Sequence, residues 1–255
     1  MVELKTPTEL DAMAEAGRIV ADALAAVSEH ARAGVSLLEL DEIARTVIGE
    51  SGATSAFLGY KPAFAPTPFP AVICTSVNDA IVHGIPGRYR LRDGDLLSVD
   101  CGVHLDGWAG DAAVSLTVGR ARPADLALID TTRAALEAAI ALCVPGNRLG
   151  DLGHAISGVG RAAGYGILQD FGGHGIGRAM HEDPHLPNHG RPGRGLTLRP
   201  GLVLAIEPMF TAGGGDAYRT AADGWTLHSA DGSRAAHVEH TVAVTDDGPR
   251  VLTRR

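Results

Sequence analysis

Apolar side chains recur at helical spacing early in the chain, and capping residues mark the start of two helices. The segment Thr6-Pro7-Thr8-Glu9 combines a capping box with a proline at the first helical position, and apolar residues then recur from Leu10 to Val27. A second capping box begins at Ser36 and predicts a helix to about Gly49. Residues 53–118 are rich in β-forming residues and are interrupted by glycine, which predicts strands. The predicted order is therefore helix, helix, strands.

The same order of patterns returns in the second half. An alanine-rich helical pattern runs from Pro123 to about Cys143, the dipeptide Pro145-Gly146 breaks it, and another helix is predicted to about Ala163. β-Rich sequence follows to the end. We therefore expect one domain, residues 1–255, made of two similar halves at about residues 6–120 and 121–255.

Three sets of matching residues, which occur in the same order in both halves, support an internal repeat. Residues 91–100 align with residues 198–207, since each segment is a glycine turn followed by an apolar strand that ends on a carboxylate. The tripeptide Asp-Gly-Trp also occurs twice, starting at Asp106 and at Asp223. The helical pairs align without gaps through Gly34, Leu37, Leu40 and Gly52, which match Gly146, Leu149, Leu152 and Gly164.

Composition narrows the class of protein. The chain is 45% hydrophobic and 20% charged, which predicts a packed core and excludes disorder. No apolar run is long enough to span a bilayer, and the net charge of −8 disfavours nucleic acid and anionic membranes as partners. The first residues do not resemble a signal peptide, and the cysteines are few and widely spaced, so we expect a reducing, cytoplasmic location. The cysteines are Cys74, Cys101 and Cys143.

Four carboxylates occupy matching places in the two halves, Asp100 and Asp111 in the first and Glu207 and Glu239 in the second. If residues 106–107 form a two-residue hairpin turn, Asp111 lies opposite Gly102. Gly102 is two residues after Asp100, so Asp100 and Asp111 lie on the same face of the sheet. Singly, such residues are usually solvated turn residues. Buried together, four carboxylates would repel one another, and one or two metal cations would relieve that repulsion.

Three histidines are candidates for roles beside these acids. His174 lies in a glycine-rich segment that lacks the lysine of a phosphate-binding loop, so we interpret it as a metal ligand rather than part of a phosphate site. His181 follows seven residues later, and His83 lies at the end of a predicted strand. The sequence contains no Gly-x-Ser-x-Gly motif, and no motif marks a cysteine as a nucleophile. Metal-dependent chemistry is therefore the leading hypothesis.

Specific motifs surround these acids and histidines. They are Ser76–Asp79 with His83–Pro86, Gly94–Asp100, Gly110-Asp111, Gly173–Gly177 with His181-Glu182, Ile206–Met209, and Glu239–Thr241. Together they resemble the motifs of the type I methionine aminopeptidases, and the resemblance extends over essentially the whole chain. The resemblance implies an α/β (α+β) pita-bread fold, with two pseudo-symmetric helix-helix-strand halves, a curved antiparallel sheet and a central dinuclear metal site.

The resemblance also implies a metal centre and a reaction. Two divalent ions (Co, Mn, Fe or Zn) would be bridged by Asp111 and Glu239, with Asp100 completing one site and His174 and Glu207 the other. The reaction would be removal of the amino-terminal methionine from nascent proteins and peptides, preferably before a small second residue, by attack of a metal-bridging hydroxide. The sequence indicates neither ribosome contact nor the physiological metal, and we expect a monomer.

The resemblance assigns roles around the scissile bond and a pocket for methionine. Glu207 would accept the proton of the attacking water, His181 would stabilise the oxyanion and His83 would contact the scissile nitrogen. Apolar and sulfur-bearing side chains suit a thioether. The predicted pocket residues are Tyr60, Phe69, Cys74, Met180 and Trp225.

Two departures from the family pattern affect this pocket. The Pro62–Pro68 connection is longer than usual, which leaves open whether Phe64 or Phe69 lines the pocket. Phe57 stands where many relatives have a smaller residue and is expected either to narrow the pocket or to shift its lip. Two alternatives also remain: a prolidase or Xaa-Pro aminopeptidase, disfavoured because no amino-terminal domain is expected before the first helix, and a catalytically silent binding protein of the same fold.

Overall fold

The computed structural model describes residues 2–63, 65–168 and 170–255, and its helices begin where the sequence predicts. Thr6 caps the first helix through Glu9, and Ser36 caps the second through Glu39; in each case the glutamate carboxylate accepts the N-cap backbone N–H at 2.8 Å. Both capping boxes are therefore confirmed. The described residues form helices α1 (Pro7–His30), α2 (Leu37–Glu50), α3 (Pro123–Ala141) and α4 (Leu149–Ala162).

The described residues also form fifteen strands. In chain order they are β1 (Thr54–Ser55), β2 (Ile73–Val77), β3 (Ala80–Val82), β4 (Leu96–Leu105), β5 (Trp108–Thr117), β6 (Gly166–Ile167), β7 (Gly172–Gly175), β8 (Glu182–Pro187), β9 (Val203–Ile206), β10 (Met209–Thr211), β11 (Tyr218–Thr220), β12 (Leu227–Ser229), β13 (Ala235–His237), β14 (Glu239–Thr245) and β15 (Gly248–Val251).

The predicted repeat is visible in the helical pairs. Helices α2 and α4 are both 14 residues long and begin and end at the same offset. The glycine before each of them, Gly34 and Gly146, has a φ of +94°, and each donates its N–H to a matching carbonyl, that of Leu91 or Leu198. The same turn conformation therefore leads into both helices.

The two copies of the Asp-Gly-Trp tripeptide lie in hairpins that are not equivalent. Asp106 and Gly107 form the turn between β4 and β5, whereas Asp223 and Gly224 lie between β11 and β12 of a small separate sheet. The two copies do not occupy equivalent places in the two halves. Our interpretation of this tripeptide as part of the duplication is therefore wrong, because a short turn sequence can serve unrelated hairpins.

A large antiparallel sheet joins the two halves. In the described residues it has the strand order β1-β4-β5-β14-β9-β7-β8, with β2 beside β4 and β15 beside β14. The contact between β5 and β14 joins strands of the two halves. The other described strands form two three-stranded sheets, β13-β10-β6 and β11-β12-β3.

Alternation along the strands sorts side chains between two faces of the large sheet. Val99 and Cys101 of β4 pack with α1 and α2, and Leu204 and Ile206 of β9 pack with α3 and α4. Side chains at the intervening positions face away from the helices, because successive residues of a strand point to opposite sides. That second face carries the carboxylates. Within the described ranges, no helix combines the length and apolar content needed to cross a bilayer.

Candidate active site

The β4–β5 hairpin brings the two aspartates of the first half together. Asp106 and Gly107 have φ values of +49° and +79°, as a two-residue turn with both central residues left-handed requires. The register places Gly102 opposite Asp111, as predicted, so Asp100 and Asp111 are diagonal neighbours on one face. Asp111 lies inside β5 rather than at its start, because the hairpin continues to Trp108.

The glutamates of the second half join them across the β5–β14 contact. Glu239 pairs with Ala113, which pairs on its other side with Asp100, so these three residues form one row across three strands. Glu207 directly follows β9, and continuation of the β9–β14 register brings it opposite Glu239. The small side chain of Ala113 leaves the space between the acids open.

His174 lies against the acids from β7. Its Nε2 is 3.8 Å from Asp111 Oδ2 and 3.8 Å from Glu207 Oε1. Its Nδ1 lies 2.9 Å from the Gly175 carbonyl oxygen, which can only accept, so Nδ1 carries the hydrogen and Nε2 presents a lone pair to the acids. Burial lowers the pKa of His174 to about 3, which keeps the ring neutral at pH 7. A neutral imidazole is the form that binds a metal.

The electrostatics of the four carboxylates favour a cation. Burial raises the pKa of Asp100 to about 7 and that of Glu207 to about 8. Burial, and then the neighbouring acids, raise the pKa values of Asp111 and Glu239 well above the usual range. Asp100 Oδ1, Asp111 Oδ1 and Glu239 Oε1 are buried without a hydrogen bond to the described chain. Oxygen atoms in this state, beside a neutral imidazole, are a donor set that fits divalent metal ions.

A cavity of about 460 Å³ opens beside the acids. All of the residues that the sequence singled out for catalysis, metal binding or substrate binding line it. They are Tyr60, Phe69, Cys74, His83, Asp100, Asp111, His174, Met180, His181, Glu207, Trp225 and Glu239.

Two of the lining histidines, His181 and His83, contact aromatic rings of the cavity. His181 stacks on Tyr60 with ring centroids 5.3 Å apart and lies 4.0 Å from the His174 ring. His83 directly follows β3 with a φ of +59°, and its ring meets Trp225 edge-on at 6.2 Å. Burial lowers the pKa of both rings, that of His83 to about 4. Both are therefore neutral N–H donors at pH 7.

Comparison with known proteins places the chain in a family. The profile of metallopeptidase family M24 matches residues 11–246. Methionine aminopeptidase 1 of Mycobacterium tuberculosis is 55% identical over 262 residues, covering 99% of this chain and 95% of its own. A crystal structure of methionine aminopeptidase from Thermotoga maritima is 39% identical, covers both chains completely and has a TM-score of 0.95. The chain is a type I methionine aminopeptidase family member.

A prolidase shares the fold of this methionine aminopeptidase family member at a greater distance. The prolidase from Pyrococcus furiosus gives a TM-score of 0.77 at 20% identity, and the match covers 99% of this chain but 65% of the prolidase. At that identity the likeness concerns the fold alone. The pita-bread expectation is thereby confirmed.

The predicted methionine pocket is an aromatic group joined by edge contacts. Phe69 meets Phe57 at 6.3 Å and Trp225 at 5.0 Å between ring centroids. Phe69 N donates to the Tyr60 carbonyl at 2.9 Å, which closes the base of the long Pro62–Pro68 connection. Phe69 lines the cavity, and the alternative residue, Phe64, lies outside the described residues.

Sequence reasoning missed one buried residue of this methionine aminopeptidase centre. His237 Nε2 lies 3.4 Å from Glu207 Oε2 and 3.8 Å from Glu239 Oε2. The spacing of two residues between His237 and Glu239 was an available signal, because such residues share a face in an extended chain. Further lining residues were also missed. They are Asp170, Phe171, Gly172, His185, Met209 and Tyr218, and Phe57 was noted only for its size.

Proposed function

We propose that this chain removes the amino-terminal methionine from polypeptides by metal-dependent hydrolysis, with a preference for a small second residue. The observation that carries the proposal is one cavity lined both by four carboxylates with an imidazole and by aromatic and sulfur-bearing side chains. The first group suits a metal centre, and the second suits a thioether side chain. Full-length likeness to methionine aminopeptidases supports the same reaction.

The proposed metal ligands are Asp100, Asp111, His174, Glu207 and Glu239. The unsatisfied buried oxygens of Asp100, Asp111 and Glu239 support this assignment, as do the close donor atoms of Asp111, His174 and Glu239 and of Glu207 and Glu239. We propose two ions, of Co, Mn, Fe or Zn. Bound ions would supply Lewis acidity toward the peptide carbonyl and would lower the pKa of the attacking water.

Glu207 is the proposed proton carrier. Its carboxylate lines the cavity beside the other proposed ligands, where it could accept a proton from a water bound at the metal centre. Glu207 would take the proton of the water and pass it to the leaving amine.

His181 and His83 would bind the peptide around the scissile bond. As neutral rings, each can donate an N–H, His181 to the carbonyl oxygen as negative charge develops there and His83 near the scissile nitrogen. The stack of His181 on Tyr60 holds its ring at the cavity. The amino-terminal side chain would then enter the group formed by Phe57, Phe69 and Trp225.

The whole of residues 1–255 is proposed to work as a single catalytic unit and as a monomer on nascent chains. The candidate metal-binding, catalytic and substrate-binding residues of both halves line one cavity, which supports a single catalytic unit. Action on chains as they leave the ribosome is part of this proposal. Three unpaired buried cysteines are consistent with the proposed cytoplasmic location.

Three peptides distinguish this proposal from its alternatives. Metal-free protein is incubated with peptides that begin Met-Ala, Met-Lys or Ala-Pro, before and after addition of Mn²⁺ or Co²⁺. We expect methionine release from the Met-Ala peptide only after metal is added. Selective cleavage before proline would indicate a prolidase-type enzyme, and no cleavage despite bound metal would indicate a silent binding protein.

Replacement of Glu207 by glutamine tests the proton path. The Glu207→Gln variant should keep its fold but lose about 10²–10⁴-fold in kcat, because the proton acceptor and one ligand charge are lost together. Steady-state kinetics on the Met-Ala peptide measures this loss, and circular dichroism checks the fold. The matched control is Glu137→Gln on the exposed face of α3, which should retain full activity. Near-normal turnover of Glu207→Gln would contradict the assigned role.

A further inference from the structure

His237 is a buried imidazole held rigidly behind the carboxylates. It ends β13, two residues before Glu239, and its side chain is 2% exposed. Ser115 fixes its backbone on both sides, since the Ser115 hydroxyl accepts from His237 N at 3.0 Å and donates to the His237 carbonyl oxygen at 2.7 Å. These two hydrogen bonds hold the backbone of His237 in a position from which its ring points toward Glu207 and Glu239.

The spacing of His237 from these acids is not that of a hydrogen bond. Its Nε2 has no hydrogen bond within the described chain, and it lies 3.4 Å from Glu207 Oε2 and 3.8 Å from Glu239 Oε2. Hydrogen bonds from N–H to oxygen span about 2.7–3.2 Å. Two atoms that each lie about 2.1 Å from one tetrahedral ion are about 3.4 Å apart. His174 Nε2, the metal ligand candidate, is likewise 3.8 Å from Asp111 Oδ2.

The two imidazoles flank one carboxylate. His174 faces Oε1 of Glu207, and His237 faces Oε2 of the same group. The nitrogen of His237 and the oxygens of Glu207 and Glu239 all lie within 4.8 Å of one another, as do those of Asp111, His174 and Glu239. Each imidazole therefore belongs to its own compact three-residue donor set, and Glu239 is shared.

We propose that His237 Nε2 is an additional metal ligand, which binds a divalent cation together with Glu207 and Glu239. This inference rests on the proposed function, because it adds a ligand to the metal centre that the function requires. Imidazole nitrogen favours Zn²⁺, whereas Mn²⁺ prefers oxygen ligands. His237 thus biases the centre toward Zn²⁺ and Co²⁺ relative to Mn²⁺.

Metal binding by the His237→Gln variant tests the proposal without reference to catalysis. Glutamine keeps an N–H donor near Glu207, so it replaces a hydrogen-bonding histidine but not a metal-binding nitrogen. Metal-free wild type and variant are titrated with Zn²⁺, Co²⁺ and Mn²⁺ by calorimetry, and the Co²⁺ absorption spectrum is recorded. We expect the variant to lose about 100-fold or more in Zn²⁺ affinity, which is more than the loss of an outer hydrogen-bond partner usually costs. The loss of Mn²⁺ affinity should be smaller, and the Co²⁺ spectrum should change.

The control is His228→Gln. The His228 imidazole pairs with Asp79 through Nδ1 at 3.0 Å and not with any of the four carboxylates proposed as metal ligands. This variant should leave affinities and spectrum unchanged. If His237→Gln does not fold, X-ray absorption of Co²⁺-loaded wild type counts the ligands: two imidazoles per pair of ions support the proposal and one overturns it. An unchanged spectrum in a folded His237→Gln variant also overturns it. Cleavage of the Met-Ala peptide by wild type reports separately on the proposed function.

Discussion

Gly102 keeps the cavity open beside the metal ligand candidates. It shares a face with Asp100 and lies opposite Asp111. A Cβ at this position would lie 2.7 Å from Phe57 Cε1 and 2.8 Å from Met180 Cε, closer than real side chains approach. The methionine chain can move aside, but the ring of Phe57 is buried and has little room. The width of the pocket is therefore set at single residues.

Substitution of Gly102 by alanine should weaken methionine binding. The Gly102→Ala change adds one methyl group to the pocket, for which we expect about a tenfold or larger rise in KM for a Met-Ala peptide, with a smaller change in kcat. Overpacking should cost about 1–3 kcal/mol of unfolding free energy. Steady-state kinetics and chemical denaturation measure the two effects. An unaltered KM would show that the methionine side chain does not reach this part of the cavity.

Two glycines of helix α4, Gly153 and Gly158, have different surroundings. A Cβ on Gly153 would lie 2.5 Å from the His189 carbonyl oxygen and 2.6 Å from that of Pro187, so the helix packs directly on that segment. Gly158, five residues later, is exposed, and no atom lies within 4 Å of an added Cβ. Gly153 therefore permits close backbone packing, whereas Gly158 only weakens the helix.

The same substitution at these two positions should have opposite effects. Gly158→Ala should raise the free energy of unfolding by about 0.5–1 kcal/mol, because alanine has the higher helix propensity. Gly153→Ala should lower it by about 1–3 kcal/mol, because two backbone carbonyls must move. Thermal and urea denaturation of the two variants measures the difference. Similar shifts in both variants would contradict the close contact at Gly153.

In the whole molecule, each half supplies two of the four carboxylates that lie together in the folded protein. Asp100 and Asp111 come from the first half and Glu207 and Glu239 from the second, and the β5–β14 pairing joins them. Burial raises all four pKa values, so the folded metal-free protein holds protons that the unfolded chain releases above about pH 4. Because a metal ion binds the ionised carboxylates of the folded protein and would displace these protons, metal binding and folding stability are linked.

Stability of the metal-free protein should fall with rising pH because of these groups. A raised carboxyl pKa contributes stability that is fully present below the unfolded value of about 4 and is lost as pH rises through the folded values, about 7 for Asp100 and about 8 for Glu207. We expect a Tm lower at pH 8.5 than at pH 6, and a smaller decrease in an Asp100→Asn/Glu207→Gln double variant. Added Zn²⁺ at 100 times its Kd should restore about 2.7 kcal/mol at pH 8.5. A double variant with the wild-type pH profile would contradict this account.

Local rules predicted much of this protein from its sequence. Capping boxes marked the starts of two helices, and matching glycines and leucines revealed the two halves. The register of the β4–β5 hairpin followed from a two-residue turn and strict alternation, which placed Asp100 beside Asp111. These features depend on residues that are close in the chain, so the sequence carries them directly. The four carboxylates were visible for the same reason, since they occupy matching places in the two halves, whereas His174 was identified from its glycine-rich segment.

Tertiary structure alone decided which distant segments complete the cavity. The only local signal for His237 is its two-residue spacing from Glu239, and its position against Glu207 depends on the packing of β13 against other strands. The long Pro62–Pro68 connection was equally ambiguous, and the return of the chain at Phe69 selects the lining residue. The second Asp-Gly-Trp was misleading because its hairpin belongs to a different sheet. The sequence thus determined the repeat and its chemistry, whereas the shape of the pocket was decided by long-range packing, which no local pattern encodes.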